Sequence, residues 1–186
     1  MAVTGPAPAD LLAAARRELA RLVPALSAFL DGLPVPLWRA RPASREWAPV
    51  EIVCHLRDEE VEDFRARVRV VVEGGTTFTP IDPEGWAVER RYHEADPATA
   101  LSALVGARAA SLEWLASLDP GLLRQAVEHP RHGRFSGLDL LAAWVTHDRL
   151  HLAQLAATLA RTGADRWAPL RAAYAGPIPY ASAPPT

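Results

Sequence analysis

Apolar side chains recur every three or four positions in four stretches of this chain, the spacing that lines them along one face of an α-helix. The pattern predicts helices over residues 8–31, 49–72, 96–118 and 136–163, with Pro24 as a kink point in the first. Capping residues, prolines or glycines bound these stretches. Four long helices with at least two long connections predict an all-α protein built as a four-helix bundle.

The segments between these helices carry turn residues, and we predict no strand in them. Residues 33–47 hold several prolines and are predicted to lack regular structure, as is the loop EHPRHGRF before the fourth helix. The connection over residues 74–95 has room for a short helix at 86–92. The predicted organisation is one bundle domain over residues 8–165, followed by a Pro/Ala-rich tail, 166–186, that packs on the bundle or extends from it.

Composition argues against nucleic-acid-binding, membrane-spanning and disulfide-bonded classes of protein. The 186 residues carry a net charge of -2, so no overall field attracts nucleic acid, and no nucleic-acid partner is expected. No apolar run approaches the ~20 residues that span a bilayer, so no membrane association is expected. The single cysteine, Cys54, excludes an internal disulfide and suits a reducing compartment, so we expect a cytoplasmic protein with a buried, inert thiol.

Three histidines lie on helix faces that should be buried. His147 and His151 are four residues apart on the stripe of the fourth helix that also carries Trp144 and Leu155, and His55 lies on the apolar stripe of the second helix. If those two helices lie side by side, the three imidazoles can converge on one divalent ion, with bonds of about 2.0–2.1 Å for zinc. Three imidazoles with one open position are typical of a catalytic metal site.

Several charged residues belong to the same hypothesis. Glu59 follows His55 by one turn and is the candidate catalytic residue, able to orient a ligand, accept a proton or become a fourth ligand. Arg108, in the middle of the third helix, is expected to pair with an inner acid such as Glu59 or Asp63, whereas Asp148 is expected to be exposed. The alternative is an ordinary core, because histidines four residues apart also occur by chance.

Three segments resemble the DinB-like family, also called the YfiT-like metal-dependent hydrolases. They are LWRARPASREWAPVEIVCHLRDEE, WAVERRYHEADPATALSALVGARAASLEWLASL and HPRHGRFSGLDLLAAWVTHDRLHLAQLAATLA. The resemblance runs over about residues 11–159 and implies a bundle with up-down-down-up wiring. It also implies metal ligands at His55, His147 and His151, nickel or zinc as the ion, and a homodimer. Ala48 departs from the family pattern, which has Ser or Thr at this helix cap.

Two functional interpretations follow. In the first, the protein is a metal-dependent enzyme whose ion activates water or a thiol against an unidentified small-molecule substrate, as a hydrolase or a thiol-dependent transferase. Relatives in the wider superfamily use low-molecular-weight thiols, so the resemblance makes such a thiol a candidate partner. In the second, the bundle is a non-catalytic metal-binding or dimerisation module. An open coordination position beside a cavity would favour the first interpretation.

Overall fold

Four long helical segments form the protein. The computed structural model describes residues 5–129, 133–167 and 169–177. The first bundle helix is α1, the third is α6 and the fourth is α7, while the second is a continuous run in which a π-helical segment joins α3 to α4. Their bounds are α1 Pro8–Leu30, α3 Pro49–Glu59, the π-helical segment Glu60–Phe64, α4 Arg65–Val72, α6 Pro97–Ser117 and α7 Gly137–Gly163. The predicted all-α four-helix bundle is confirmed.

Shorter elements occupy the connections. They are α2 Val35–Trp38, α5 Pro83–Glu89, the 3₁₀ turns Tyr92–Glu94, Pro120–Arg124, Ala164–Trp167 and Ala172–Ala175, and the strands β1 Ala126–His129 and β2 Gly133–Ser136. The short helix predicted near residues 86–92 is present as α5, slightly earlier in the chain. The described tail continues from α7 as 3₁₀ turns, and residues 178–186 lie outside the described part, so the domain boundary at residue 165 stays a prediction.

The relative directions of the four bundle helices follow from the contacts between them. The end of α1 and the start of α6 line one surface groove, so these two helices run in opposite directions. The second bundle helix runs parallel to α6, because Glu60 meets Arg108 and, further along both, the Arg69 guanidinium lies over the Trp114 ring. It runs antiparallel to α7, because His55 meets His151 and Phe64, further along the second bundle helix, stacks on Trp144, which comes earlier in α7. The directions are therefore up-down-down-up, as the family resemblance implied.

The buried apolar side chains form two clusters along the bundle. One includes Ile52 and Leu155, and the other includes Phe64 and Trp144. Residues 147–151 of α7 and the facing turn of the second bundle helix lie between the two clusters. Polar side chains placed there are shielded from solvent by apolar layers on both sides, which raises the cost of leaving any of them without a partner.

Two predictions about the connections are wrong. Residues 33–47 contain the one-turn helix α2, and the predicted loop before α7 contains an antiparallel β-hairpin in which Val127 pairs with Phe135. The hairpin strands are four residues each, and they pair with each other, so they needed no other strand in the fold. Val127 is buried against the bundle, which stabilises a hairpin that would be marginal alone. Among the described helices, none is both long and apolar enough to cross a membrane.

Candidate metal centre

The side chains of the three predicted histidines form a cluster between the second and fourth bundle helices. The Nε2 atom of His55 is 3.2 Å from Nε2 of His147 and 3.0 Å from Nε2 of His151. One nitrogen from each ring lies within 4.8 Å of the other two. The antiparallel contact between α3 and α7 brings the rings together, because His147 and His151 occupy successive turns of one helix face and His55 faces them from the other.

The start of α3 holds His55 in place. Pro49 occupies the first turn, and the Glu51 carboxylate accepts a hydrogen bond from the Ala48 backbone N–H at 2.8 Å. The Arg41 guanidinium donates to the same carboxylate through Nε at 2.8 Å. Ala48 cannot cap the helix with its own side chain, so Glu51 and Arg41 stabilise this end instead. His55 lies one turn after Glu51 on the same helix, so the contacts that stabilise the start of α3 also hold the backbone of His55 in position.

The walls of the cluster are aromatic. The Trp47 ring lies 4.7 Å from the His55 ring between centroids, and the Phe64 ring lies 4.8 Å from the His147 ring. His55 is 5% exposed, whereas the other two imidazoles are half-buried. The cluster is therefore shielded from solvent on the α3 side, and solvent reaches it beside the two histidines of α7.

Hydrogen bonding and burial leave a lone pair of the His151 ring directed at the cluster. Nδ1 of His151 lies 2.7 Å from Oε1 of Gln154, an acceptor, so Nδ1 carries the proton and Nε2 is free. Burial, with the neighbouring imidazoles, lowers the pKa of His151 to about 3. Burial likewise lowers the pKa of His55 to about 4. Both rings are neutral near pH 7, the form in which imidazole binds metal.

The donor set fits a divalent first-row metal. Three nitrogens that share one ion at about 2.0–2.1 Å with tetrahedral angles lie about 3.4 Å from one another. The two measured Nε2 separations are close to that value. Imidazole suits zinc, nickel, copper and iron, whereas magnesium and calcium prefer oxygen ligands.

Glu59 lies beside the histidines, as its position one turn after His55 predicted. Its Oε2 atom is 2.9 Å from Nε2 of His147, and its Oε1 atom is 3.7 Å from Nδ1 of His55. Burial alone would raise the pKa of Glu59, but the hydrogen bond with His147 and electrostatic interactions with the three imidazoles lower it overall. The structure thus places an ionised carboxylate at the edge of the cluster.

A pocket opens next to His151. Its volume is about 560 Å³, within the range of small-molecule sites. The residues that line it include Glu46, Trp47, Leu150, His151, Gln154 and Arg161. Arg161 and Glu46 form an ion pair across this pocket. A molecule in the pocket would contact both an aromatic ring and charged groups while lying against His151.

Comparison with known proteins agrees with this architecture. A family model described as the DinB superfamily matches residues 16–155, three quarters of the chain. The chain belongs to the DinB superfamily. Among solved structures, this member resembles YfiT from Bacillus subtilis, "a probable metal-dependent hydrolase with an unusual four-helix bundle topology". The TM-score is 0.72 at 18% identity over 82% of this chain and 87% of YfiT, which establishes the shared fold. No curated protein matches the chain.

Sequence reasoning missed a second buried group in this DinB-superfamily chain. Asp148 was predicted to be exposed, but it is only 3% exposed. Arg108 pairs with Asp148 and Glu60, and not with Glu59 or Asp63. Two faces of α7 are buried, one against the second bundle helix and one against α1, so a residue beside the histidine stripe also enters the core. The signal in the sequence was an arginine among small apolar residues, which needs buried acids nearby.

Two further groups near the site, Cys54 and Asp63, lie outside the histidine cluster. Cys54 is fully buried, as predicted, and burial raises the pKa of its thiol to about 11. Asp63 accepts a hydrogen bond from Arg67 one turn later on the same helix. Neither side chain is among the three that form the candidate metal cluster.

Proposed function

We propose that this protein binds one divalent metal ion, nickel or zinc, through His55, His147 and His151, and that it is a metal-dependent enzyme. The observation that carries the proposal is the approach of two Nε2 atoms from α7, those of His147 and His151, to 3.2 and 3.0 Å from Nε2 of His55 on the facing helix. His55 is buried and the other two rings are half-buried. Two ring nitrogens this close repel through their lone pairs unless a cation or a hydrogen-bonded proton lies between them. Membership of the superfamily and the fold shared with YfiT are consistent with a metal-dependent hydrolase.

The side chains around the cluster have separate tasks in this proposal. When bound, such an ion supplies Lewis-acid activation of water or of a thiol. Gln154 holds the His151 ring in the tautomer that leaves Nε2 free. Glu59, ionised and 2.9 Å from His147, is placed to accept the proton that an activated water or thiol releases. The pocket beside His151 would hold the substrate.

The substrate in this proposal is a small molecule. A pocket of about 560 Å³ with one aromatic wall and an Arg–Glu pair suits a compact molecule with polar groups. A low-molecular-weight thiol, expected from the family resemblance, is the candidate second reactant, which makes a thiol-dependent transferase the alternative to a hydrolase. A homodimer and a cytoplasmic location remain predictions from the sequence.

A non-catalytic metal site is the second candidate, and the position of Glu59 favours it. A carboxylate 2.9 Å from a ligand nitrogen can itself become the fourth ligand, and structural zinc sites are closed by four protein ligands. Azide added to the Co²⁺-loaded protein separates the two candidates. The proposed enzyme has an exchangeable position, so its visible absorption shifts with azide, whereas a closed site leaves the spectrum unchanged.

Metal content of the protein purified without an affinity tag tests the proposal. We expect about one nickel or zinc ion per chain by elemental analysis, and loss of that ion in the His147→Ala protein. His129→Ala is the matched control, because His129 lies in strand β1 and is not part of the histidine cluster. Full metal occupancy in the His147→Ala protein, or none in the wild type after incubation with zinc, would refute the proposal.

A further inference from the structure

One buried guanidinium links all four bundle helices. Arg108 of α6 is 3% exposed, and each of its five N–H groups donates a hydrogen bond. Nε and Nη2 donate to Glu60 at 2.9 and 2.7 Å, and Nη1 and Nη2 donate to Asp148 at 2.7 and 3.1 Å. The remaining Nη1 hydrogen bond, 2.7 Å long, goes to the backbone oxygen of Leu19 in α1. Arg108 therefore has no free donor and one preferred orientation.

Both carboxylates adjoin residues of the candidate metal centre. Glu60 directly follows Glu59, and Asp148 directly follows His147. Successive residues on an α-helix leave its axis about 100° apart, so holding one side chain in place restrains the rotation of the helix and with it the backbone position of the next residue. Trp144 adds a further hydrogen bond, from Nε1 to Oε2 of Glu60 at 3.0 Å. The network thus sets how far each of two helices is rotated about its axis at the level of the histidines.

A π-helical segment begins at the second of the two adjacent acids, Glu59 and Glu60. It directly follows α3, and π-helical turns of this kind occur frequently at functional sites. Glu59 and Glu60 are 6% and 1% exposed, so two consecutive acids are both buried, facing different partners. The next two residues, Val61 and Glu62, face solvent. The π-helical segment therefore begins where the Glu59 carboxylate faces the histidines and the Glu60 carboxylate faces Arg108.

Stability alone does not account for this arrangement. Replacing a buried ion network by apolar residues of similar volume is often neutral or stabilising, so such networks are weak contributors to folding. The partners of Arg108 are instead the neighbours of two residues that the metal centre needs. We propose that Arg108 is a positioning residue for the metal centre, holding Glu60 and Asp148 so that Glu59 and His147 face the same point. This inference rests on the proposed metal site.

Zinc affinity and the visible spectrum of the Co²⁺-loaded protein test the inference. Arg108→Met keeps an unbranched side chain but removes every donor. We expect about tenfold weaker zinc binding, the lower end of the effect of losing a group that hydrogen-bonds a metal ligand directly, because Arg108 acts one residue further away. The Co²⁺ absorption bands should also change, because the directions of the ligands change. Arg108→Lys retains a charge and some donors, so it should recover part of both signals.

A matched control separates positioning from loss of stability. Leu115 is fully buried in the same helix, two turns after Arg108, and Leu115→Ala should lower the melting temperature while leaving zinc affinity and the Co²⁺ spectrum as in the wild type. All measurements are made well below the melting temperature of each variant. Equal losses of affinity in Leu115→Ala and Arg108→Met would overturn the inference, because the effect would then follow from general destabilisation.

A second variant covers the case in which Arg108→Met does not fold. Asp148→Asn preserves volume and leaves Arg108 paired with Glu60, and we expect it to weaken zinc binding and alter the Co²⁺ spectrum. Wild-type affinity and spectrum in a folded Arg108→Met or Asp148→Asn protein would refute the positioning role while the metal site stood. A wild-type protein that binds neither zinc nor Co²⁺ would refute the metal site itself, and this inference with it.

Discussion

A histidine binds metal only through a ring nitrogen with a free electron pair, and burial creates that state at His55 and His151. Their lowered pKa values keep both rings neutral at physiological pH. The side chain of Gln154 then decides which nitrogen of His151 carries the remaining proton. At the scale of single residues, the proposed site therefore consists of three candidate ligands together with Gln154, which fixes the tautomer of His151.

Replacing Gln154 with alanine tests this account of the His151 ring. The Nδ1–H loses its acceptor, so the ring is no longer held in one orientation, and we expect zinc affinity to fall about tenfold. Gln125→Ala makes the same chemical change at an exposed position between elements and should leave affinity unchanged. Calorimetric titration of the metal-free proteins measures both. Wild-type affinity in the Gln154→Ala protein would contradict the assigned role.

At the scale of elements, the long connection between the second and third bundle helices is fastened to α3 by Asp58. Its carboxylate accepts hydrogen bonds from the Tyr92 hydroxyl at 2.6 Å and from Nη1 of Arg90 at 2.7 Å. Burial alone would raise the pKa of Asp58, but the hydrogen bonds from Arg57, Tyr92 and Arg90 lower it below its ordinary value of 3.8. The connection therefore depends on an ionised carboxylate.

The pH dependence of unfolding tests this contact. A carboxylate whose pKa is lowered by folding contributes stability above its ordinary pKa, and that contribution is lost as pH falls through the folded value. Asp58→Asn should lower the free energy of unfolding by about 1–3 kcal/mol at pH 7. The difference between variant and wild type should shrink below pH ~4. Urea titrations at pH 7 and pH 3 measure it, and an equal difference at both pH values would contradict the account.

The elements also show what sequence patterns can and cannot predict. The four bundle helices follow from apolar spacing sustained over twenty or so residues, and the stripes that carry His55 and His147 follow from the same spacing. The helix α2 and the hairpin strands span only four residues each, too few to establish a period. Glu60 is the first residue of the π-helical segment, and nothing in its sequence distinguishes that segment from regular α-helix.

At the scale of the whole molecule, metal binding should stabilise the bundle, because the ligands come from two helices that separate on unfolding. An ion at 1,000 times its dissociation constant adds about 4 kcal/mol to the free energy of unfolding if it binds only the folded state. For a chain of this size that corresponds to a rise of about 10 °C in melting temperature. Zinc should produce this rise in the wild type and none in His147→Ala.

Magnesium provides the control for that measurement. It prefers oxygen ligands in octahedral geometry, so it should leave the melting temperature of the wild type unchanged. A chelator added after zinc should return the melting temperature to that of the metal-free protein. A zinc-dependent rise of equal size in the His147→Ala protein would show that the ion stabilises some other part of the molecule.

The central claim is that His55, His147 and His151 bind a single metal ion. Anomalous diffraction from crystals of zinc-loaded protein, recorded on both sides of the zinc absorption edge, tests it most directly. We predict one strong peak bonded to the Nε2 atoms of the three histidines, each at about 2.0–2.1 Å. Crystals with no peak among these rings, or with zinc held only by other side chains, would contradict the claim.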